Sequence, residues 1–517
     1  MLKEFTNEPF TDFSKKANQE LMKEAIKKVR SQLGKSYPLV IGGKEIKTEK
    51  ELVSTNPANP KEIIGKFSKA GQKEAELAMQ EALKAFESWK VVSPKRRARC
   101  LIKAAAMMRA RKFEFSAWMV LEIGKNWVEA DADTAEAIDF LEFYAREMIR
   151  LAEPAELPTF DGEENDLRYI PLGVGVVVPP WNFPLAILVG MSSAAIVGGN
   201  TVVLKPSSET PAIGYQFFKL MEEAGLPPGV FNFTPGSGAE VGDYLVGHPK
   251  TRFISFTGSK EVGLRINELA AKPQKGQIWI KRVVAEMGGK DSIVVNNDAD
   301  IDAAADGIVA SAFGFGGQKC SACSRAIVHQ DVYDEVLSKV VEKVKKLKVA
   351  SPEEIDTNMG PVSSKSAYES ILEYIEIGKK EGRLVAGGGP DSSNNGGFYI
   401  QPTVIADVDP DARISQEEIF GPVLAFFKAK DWTDALRIAN NTEFGLTGAV
   451  YTKSREKIEQ ARQEFHVGNL YINRKCTGAL VGVQPFGGFN MSGTDSKAGG
   501  KDYLLLFTQG KSIAEKF

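Results

Sequence analysis

The chain has 517 residues, 43% of them hydrophobic and 26% charged, with a formal net charge of −2 at pH 7. That length exceeds one ordinary core and implies two or more domains, and the small net charge gives no ground for a nucleic-acid or anionic-membrane partner. Four cysteines, Cys100, Cys320, Cys323 and Cys476, make no disulfide framework in so long a chain and point to a reducing cytoplasm. No run reaches the apolar length of a membrane span, and the charge-rich N-terminal stretch lacks the apolar centre of a signal peptide.

In chain order, residues 15–34 predict a charged amphipathic helix, and Leu39–Ile41 with Gly42-Gly43 a short strand and turn. Ala75, Leu77, Met79, Ala82, Phe86 and Trp89 recur at helical spacing over 73–90. Ser93-Pro94 opens one long helical segment over 94–123, which Gly124 closes. A further helix covers 129–152 before Pro154, and the acidic stretch 161–166 reads as exposed linker. Residues 173–178 (GVGVVV) then form a continuous apolar run, the mark of a strand buried on both faces. From there helices over 185–197, 211–225, 238–246 and 261–271 alternate with strands over 201–204, 230–233, 252–256 and 283–286. Short connections between alternating elements predict an α/β architecture with a doubly wound parallel sheet. A second such series begins at Asp291 and continues through helices over 332–347 and 366–381. The loop 387–397 (GGGPDSSNNGG) reads as a flexible surface segment.

The candidate chemistry lies where these strands end. In 310–325 (ASAFGFGGQKCSACSR) three glycines and the pair Gln318-Lys319 lead to Cys320. Glycine lets backbone approach another group closely. An adjacent cation and a helix N-terminus would lower a thiol's pKa and make it a nucleophile; the alternative is a small apolar filler. Lys205 ends a strand at the carboxyl edge, where α/β ligands bind, and Pro206 stiffens its turn toward a ribose; otherwise it is a solvated lysine. Asn182, in the exposed turn PPWNFP (179–184), is placed to donate its amide to an oxyanion, unless the turn only covers the sheet edge. Gly236, Gly238 and Gly242 make a G-x-G-x-x-x-G, one residue longer than the dinucleotide fingerprint. The turn Phe256-Thr257-Gly258-Ser259 offers free N–H groups and a helix N-terminus to a pyrophosphate; ordinary tight turns are the competing reading of both. Glu286 follows a buried strand, where desolvation would raise its pKa and suit it as a general base, or it is a cap. Scattered histidines and the lack of G-x-S-x-G disfavour a Ser–His hydrolase, and an isolated Cys320-x-x-Cys323 gives no metal site.

The motifs PWNFP (180–184), KPSSETP (205–211), FTGS (256–259), EMGGK (286–290), GQKCSA (317–322), EEIFGPV (417–423) and PFGGFNMSG (485–493) together resemble the aldehyde dehydrogenase superfamily over almost the whole chain. Within it, RKCTGALVGVQPFGG (474–488) and GQKCSACSR (317–325) are similar to the branch that oxidises L-glutamate γ-semialdehyde, the open form of 1-pyrroline-5-carboxylate, to L-glutamate in proline or arginine breakdown. The alternatives are another semialdehyde or aliphatic aldehyde dehydrogenase of this superfamily, or a non-catalytic binding protein on the same fold. The resemblance implies Cys320 as the nucleophile, Asn182 with the Cys320 backbone N–H as oxyanion donors, and Glu286 as the base that activates water. It implies a cofactor site on Pro180, Trp181, Lys205, Ser208, Gly238, Gly242, Phe256, Thr257, Gly258, Ser259, Glu418 and Phe420. For substrate it implies Ser321, Gly478 and Ala479 at the α-carboxylate, Phe183 and Phe486 beside the chain, and Glu136 at the ammonium.

The resemblance further implies a nucleotide-binding domain (1–156 and 173–285), a catalytic domain (286–474), and a small β extension with the substrate anchor loop (157–172 and 475–517). The extension would pair subunits of at least a homodimer. NAD is the expected cofactor, but Ser208 stands where many NAD-preferring members carry a glutamate that repels a 2′-phosphate. NADP is therefore expected to be tolerated. Its kcat/KM should lie within about a thousandfold, roughly 4 kcal/mol, of that for NAD; a larger gap in parallel assays would contradict this.

Overall fold

The computed structural model describes residues 3–392 and 396–517. Residues 393–395, in the middle of the glycine-rich loop expected over 387–397, lie outside that range. Two sheets of seven strands each carry the molecule. The first orders Arg282–Glu286, Thr251–Thr257, Val174–Val178, Thr201–Leu204, Phe231–Phe233, Leu39–Ile41 and Lys44–Ile46. Its first five strands are parallel, and Leu39–Ile41 and Lys44–Ile46 are added antiparallel. The second orders Arg383–Ala386, Thr403–Ala406, Val423–Ala429, Cys323–His329, Asp291–Val295, Thr447–Tyr451 and Asn469–Ile472. It is parallel apart from its antiparallel edge strand Arg383–Ala386. The two β-branched-rich strands Val174–Val178 and Thr201–Leu204 sit mid-sheet and are almost fully buried, as continuous apolar runs between two helical layers should be.

Several expected elements differ in detail. The helical segment over 94–123 is two helices, Pro94–Ala110 and Lys112–Ile123, because Arg111 (φ −114°, ψ 23°) leaves helical geometry between them. Gly124 does end the second, in the left-handed region at φ 75°. The helix expected over 238–246 opens as one π-helical turn, Gly238–Gly242, before Asp243–Gly247. The acidic stretch 161–166 is not simply linker: Glu163–Pro171 is a strand that pairs antiparallel with Thr508–Lys516. Alternating charged residues hid that ribbon, since its burial is shallow on both faces. A three-stranded sheet of Lys35–Tyr37, Asn59–Ser68 and Glu51–Asn56 was also not legible.

The chain crosses from the first sheet to the second within Met287-Gly288-Gly289-Lys290, between the end of Arg282–Glu286 and the start of Asp291–Val295. The carboxyl edge of one sheet therefore meets the amino edge of the other. The C-terminal segment then returns: Val481, Tyr503, Leu504 and Phe507 pack into the same core as Phe140, Tyr144 and Leu188. Asn200, fully buried, ties this return to the first sheet. Its Oδ1 accepts from the N–H groups of Leu172 (2.8 Å) and Gly173 (2.9 Å), and its Nδ2 donates to the carbonyls of Ala195 (2.9 Å) and Phe507 (2.8 Å). Asn200→Ala would remove the side-chain partner of four buried backbone groups, of which the Ala195 carbonyl keeps the Asn200 backbone N–H at 3.2 Å, and a loss of about 3 kcal/mol is expected in denaturant unfolding; a loss under about 1 kcal/mol would contradict this role.

Candidate active site

A cleft of about 710 Å³ opens where the two sheets meet. One wall is the carboxyl edge of the first sheet and the other comes from the second, and Cys320, Asn182, Glu418 and Phe420 line one end. Every residue expected to hold a cofactor lines it, from Pro180 and Trp181 through Lys205, Ser208, Gly238, Gly242 and the turn Phe256–Ser259 to Glu418 and Phe420. Lys205 is 7% exposed, donates to the Pro206 carbonyl at 3.2 Å, and has its pKa lowered to about 8 by burial. Ser259 caps the helix Lys260–Ala271, accepting from Val262 N–H at 3.4 Å, so that helix's N-terminus faces the cleft. Gly238, Gly242 and Gly258 also line the wall and present no side chain there. At the far end Trp181 and Phe420 meet edge to face, centroids 5.3 Å apart, and Phe420 is held in the left-handed region at φ 55°. A long cleft with a buried amine at one end, a helix N-terminus in its wall and a carboxylate with an aromatic face at the other fits a dinucleotide. Ser207 and Glu209, not among the expected contacts although Glu209 directly follows Ser208, also line the Lys205 end, and Glu209 adds a carboxylate there.

The geometry corrects the expected environment of Cys320. The residue lies in a turn after the 3-10 segment Gly314–Gly317 and opens no helix. The adjacent Lys319 is committed to Glu129, at 2.7 Å. Burial pushes the Cys320 thiol well above its ordinary value, and the carboxyl groups of Asp291, Glu418 and Glu286 push it the same way. Asn182, expected in an exposed turn, is 4% exposed; its Nδ2 donates to the Gln318 carbonyl at 3.1 Å and its Oδ1 accepts from Phe183 N–H at 3.1 Å. Gln318 is itself buried and accepts from Ser363 N–H at 2.8 Å, which ties the nucleophile's loop to the segment just before the helix Lys365–Glu381.

Glu286 ends the strand Arg282–Glu286 but is not among the residues lining the cleft. Its carboxyl accepts from the Ser496 hydroxyl and from Gly488 N–H at 3.3 Å, and burial raises its pKa to about 8. A Cβ on Gly487 would stand 2.9 Å from Oε1 of Glu286. The double glycine of PFGG thus has a local reason, and Ser496, some two hundred residues along the chain, carried no sequence signal. Glu418 accepts from Gly289 N–H at 2.9 Å, its carboxyl raised to about 7 by burial. A side chain on Gly288 would collide with that carboxylate. Asp291, buried at the crossing and accepting from Thr447 N–H at 2.6 Å, was also missed.

The expected substrate residues form a second group outside the cleft lining. The helix Trp127–Leu151 presents Glu129, Asp133 and Glu136 at i, i+4 and i+7, hence on one face. Fully buried Lys125 bonds Asp133 at 2.8 Å and sits 4.0 Å from the Phe183 ring centroid. Lys319 is 5.9 Å from the same ring. Burial raises the Glu136 carboxyl to about 8; Asp133 raises it and Lys125 lowers it. Ser321 is buried, and its carbonyl accepts from the Cys476 thiol at 3.5 Å, which joins the nucleophile's loop to the segment carrying Gly478 (φ 79°) and Ala479. Phe486 and Ala498 exchange backbone bonds of 2.8 Å.

A 1-pyrroline-5-carboxylate dehydrogenase of Geobacillus sp. (strain WCH70) is 62% identical over 517 residues, with all of both chains covered. One of Bacillus cereus (strain B4264) is 60% identical over 515 residues, again spanning both chains. A Thermus 1-pyrroline-5-carboxylate dehydrogenase solved with bound NAD superposes over 100% of both chains at a TM-score of 0.98 and 52% identity. Residues 45–513 match the aldehyde dehydrogenase family, and the chain belongs to it.

Proposed function

We propose that the protein oxidises L-glutamate γ-semialdehyde, the open form of 1-pyrroline-5-carboxylate, to L-glutamate, with NAD as hydride acceptor. The observation that carries the reading is a thiol, Cys320, in the wall of a dinucleotide-shaped cleft, with the Asn182 amide beside its loop. Full-length relatives bearing the corresponding name support the substrate, and the NAD-bound Thermus structure supports the cofactor. Lys205 and Ser208 would hold the adenosine ribose, the Ser259 turn with Gly238 and Gly242 the pyrophosphate, and Glu418 and Phe420 the nicotinamide end. Bound NAD supplies the acceptor for a hydride.

The chain's own residues supply the rest. Cys320, its proton given up to solvent in the open cleft, adds through Sγ as a thiolate to the aldehyde carbon, and the Asn182 N–H₂ with the Cys320 backbone N–H stabilises the resulting oxyanion. Departure of the hydride leaves a thioester on Cys320. Glu286 then takes a proton from water, whose oxygen attacks the acyl carbon and releases glutamate and the thiol. Ser321 with the Gly478 and Ala479 backbone would take the α-carboxylate, Phe183 and Phe486 would flank the carbon chain, and Glu136, with Asp133 and Asp139 also bearing on it, would face the ammonium.

We assign 1–156 and 173–285 to nucleotide binding, 286–474 to catalysis, and 157–172 with 475–517 to the extension and anchor loop. The ribbon of Glu163–Pro171 and Thr508–Lys516 carries exposed apolar side chains at its tip, Phe160 and Phe517, which supports pairing with a second copy. Four free cysteines and no helix among the described residues long and apolar enough to cross a membrane fit a cytoplasmic enzyme.

Cys320→Ala should abolish cofactor reduction, and retained activity would overturn the reading. Because the folded pKa of Glu286 is raised to about 8, its base form is scarce at neutral pH and grows with pH. The hydrolytic step should therefore rise about tenfold per pH unit below 8 and level off above it. Glu286→Gln should lower kcat by about a hundredfold or more and remove that limb from the profile; an unchanged profile would exclude it as the base. Ala479→Tyr should raise KM for glutamate semialdehyde about tenfold or more and spare propionaldehyde; equal effects on both aldehydes would remove 475–480 from the carboxylate site.

A further inference from the structure

Residues 3–13 form no helix or strand, yet they are held down along their length. Two buried aspartates of the helix Trp127–Leu151, two turns apart, do most of this. Asp131 accepts from both the N–H (2.7 Å) and the hydroxyl of Thr11 and is paired with Lys112 at 3.0 Å. Lys112 also donates to the Pro9 carbonyl at 2.9 Å. Asp139 accepts from Glu8 N–H at 2.6 Å and from Asn7 Nδ2 at 2.8 Å. The second proton of that same amide goes elsewhere: Asn7 Nδ2 donates to the Val481 carbonyl at 2.9 Å. Val481 lies two residues beyond Ala479. Phe5 packs edge-on against Phe143 (5.2 Å), and a Cβ on Gly482, which has φ 77°, would meet both rings at 3.0–3.2 Å. A segment with no fold of its own thus presses on the loop that follows Gly478 and Ala479.

We infer that Asn7 is a positioning residue for substrate recognition: clamped by Asp139, it fixes the Val481 carbonyl and so sets the Gly478–Ala479 backbone that receives the α-carboxylate. This rests on the anchor-loop reading above. The clamp has no partner near Cys320, so it should act on substrates that carry a carboxylate and not on the chemistry itself. The loop has a second support, where Gly499 donates to Tyr144 Oη at 2.8 Å and accepts from Gly482 N–H at 2.9 Å. Loss of Asn7 should therefore loosen the loop without unfolding it.

The test measures Asn7→Ala, Thr11→Val and Ala479→Tyr side by side with glutamate semialdehyde and propionaldehyde. Asn7→Ala should raise KM for the semialdehyde about five- to tenfold, with kcat and the KM for propionaldehyde within about twofold of the parent. Thr11→Val weakens the strap at Asp131, away from the loop; it should lower Tm comparably and leave both KM values unchanged. Asn7→Ala with an unchanged semialdehyde KM, while Ala479→Tyr raises it, would overturn the inference and leave the anchor loop standing. Thr11→Val matching the KM effect of Asn7→Ala would also overturn it, because general loosening would then explain both. Ala479→Tyr without effect would bring down the anchor-loop reading and this inference with it.

Discussion

Where the carboxyl edge of the first sheet meets the amino edge of the second, Asp291, Glu418 and Glu286 bear on one half-buried thiol. Burial disfavours charge on all four groups, raising Glu286 to about 8 and Glu418 to about 7 and pushing Asp291 and Cys320 well above their ordinary values. Each carboxyl that ionises makes the next ionisation, and that of the thiol, harder. Burial and the three carboxyl groups therefore all work against a thiolate in the free protein. A thiolate needs either a proton acceptor or a compensating positive charge, and the cleft beside it is where a cationic ligand would lie.

The crossing segment Met287–Lys290 is what brings these groups so close. Gly288 gives room to the Glu418 carboxylate, and a side chain on Gly289 would collide with both the Cys320 carbonyl and the Asp291 carboxylate. Opposite it, the helix Trp127–Leu151 divides its acids between two tasks. Glu129, Asp133 and Glu136 face Lys125, Lys319 and Phe183, while Asp131 and Asp139 anchor the N-terminal segment. One helix thus links the loop that holds Cys320 to the loop that carries Ala479.

The alternation of apolar runs and helical periodicity was enough to place the strands Thr201–Leu204 and Leu39–Ile41 to the residue. Those strands are buried on both faces, so composition alone marks them. The ribbon Glu163–Pro171 with Thr508–Lys516 was hard to read because it is solvated and pairs residues more than three hundred positions apart. The site divides in the same way. Residues in local motifs at strand ends, such as Lys205, Asn182 and Ser259, were legible from turn chemistry, and all line the cleft. Partners set by tertiary contact were not: Ser496 on Glu286, Lys319 turned to Glu129, and Asn7 on Val481. The Lys319 pair is the instructive case, since adjacency in sequence suggested a cation for the thiol and the fold gave that cation to a glutamate.

The most direct test of this electrostatic account is the pH dependence of Cys320 alkylation by iodoacetamide in protein free of nucleotide, followed on its own peptide by mass spectrometry. The account predicts a rate constant that climbs about tenfold per pH unit and shows no plateau through about pH 9. A plateau reached by about pH 7.5 would mean a standing thiolate, and would contradict a site in which buried carboxyl groups keep the nucleophile protonated.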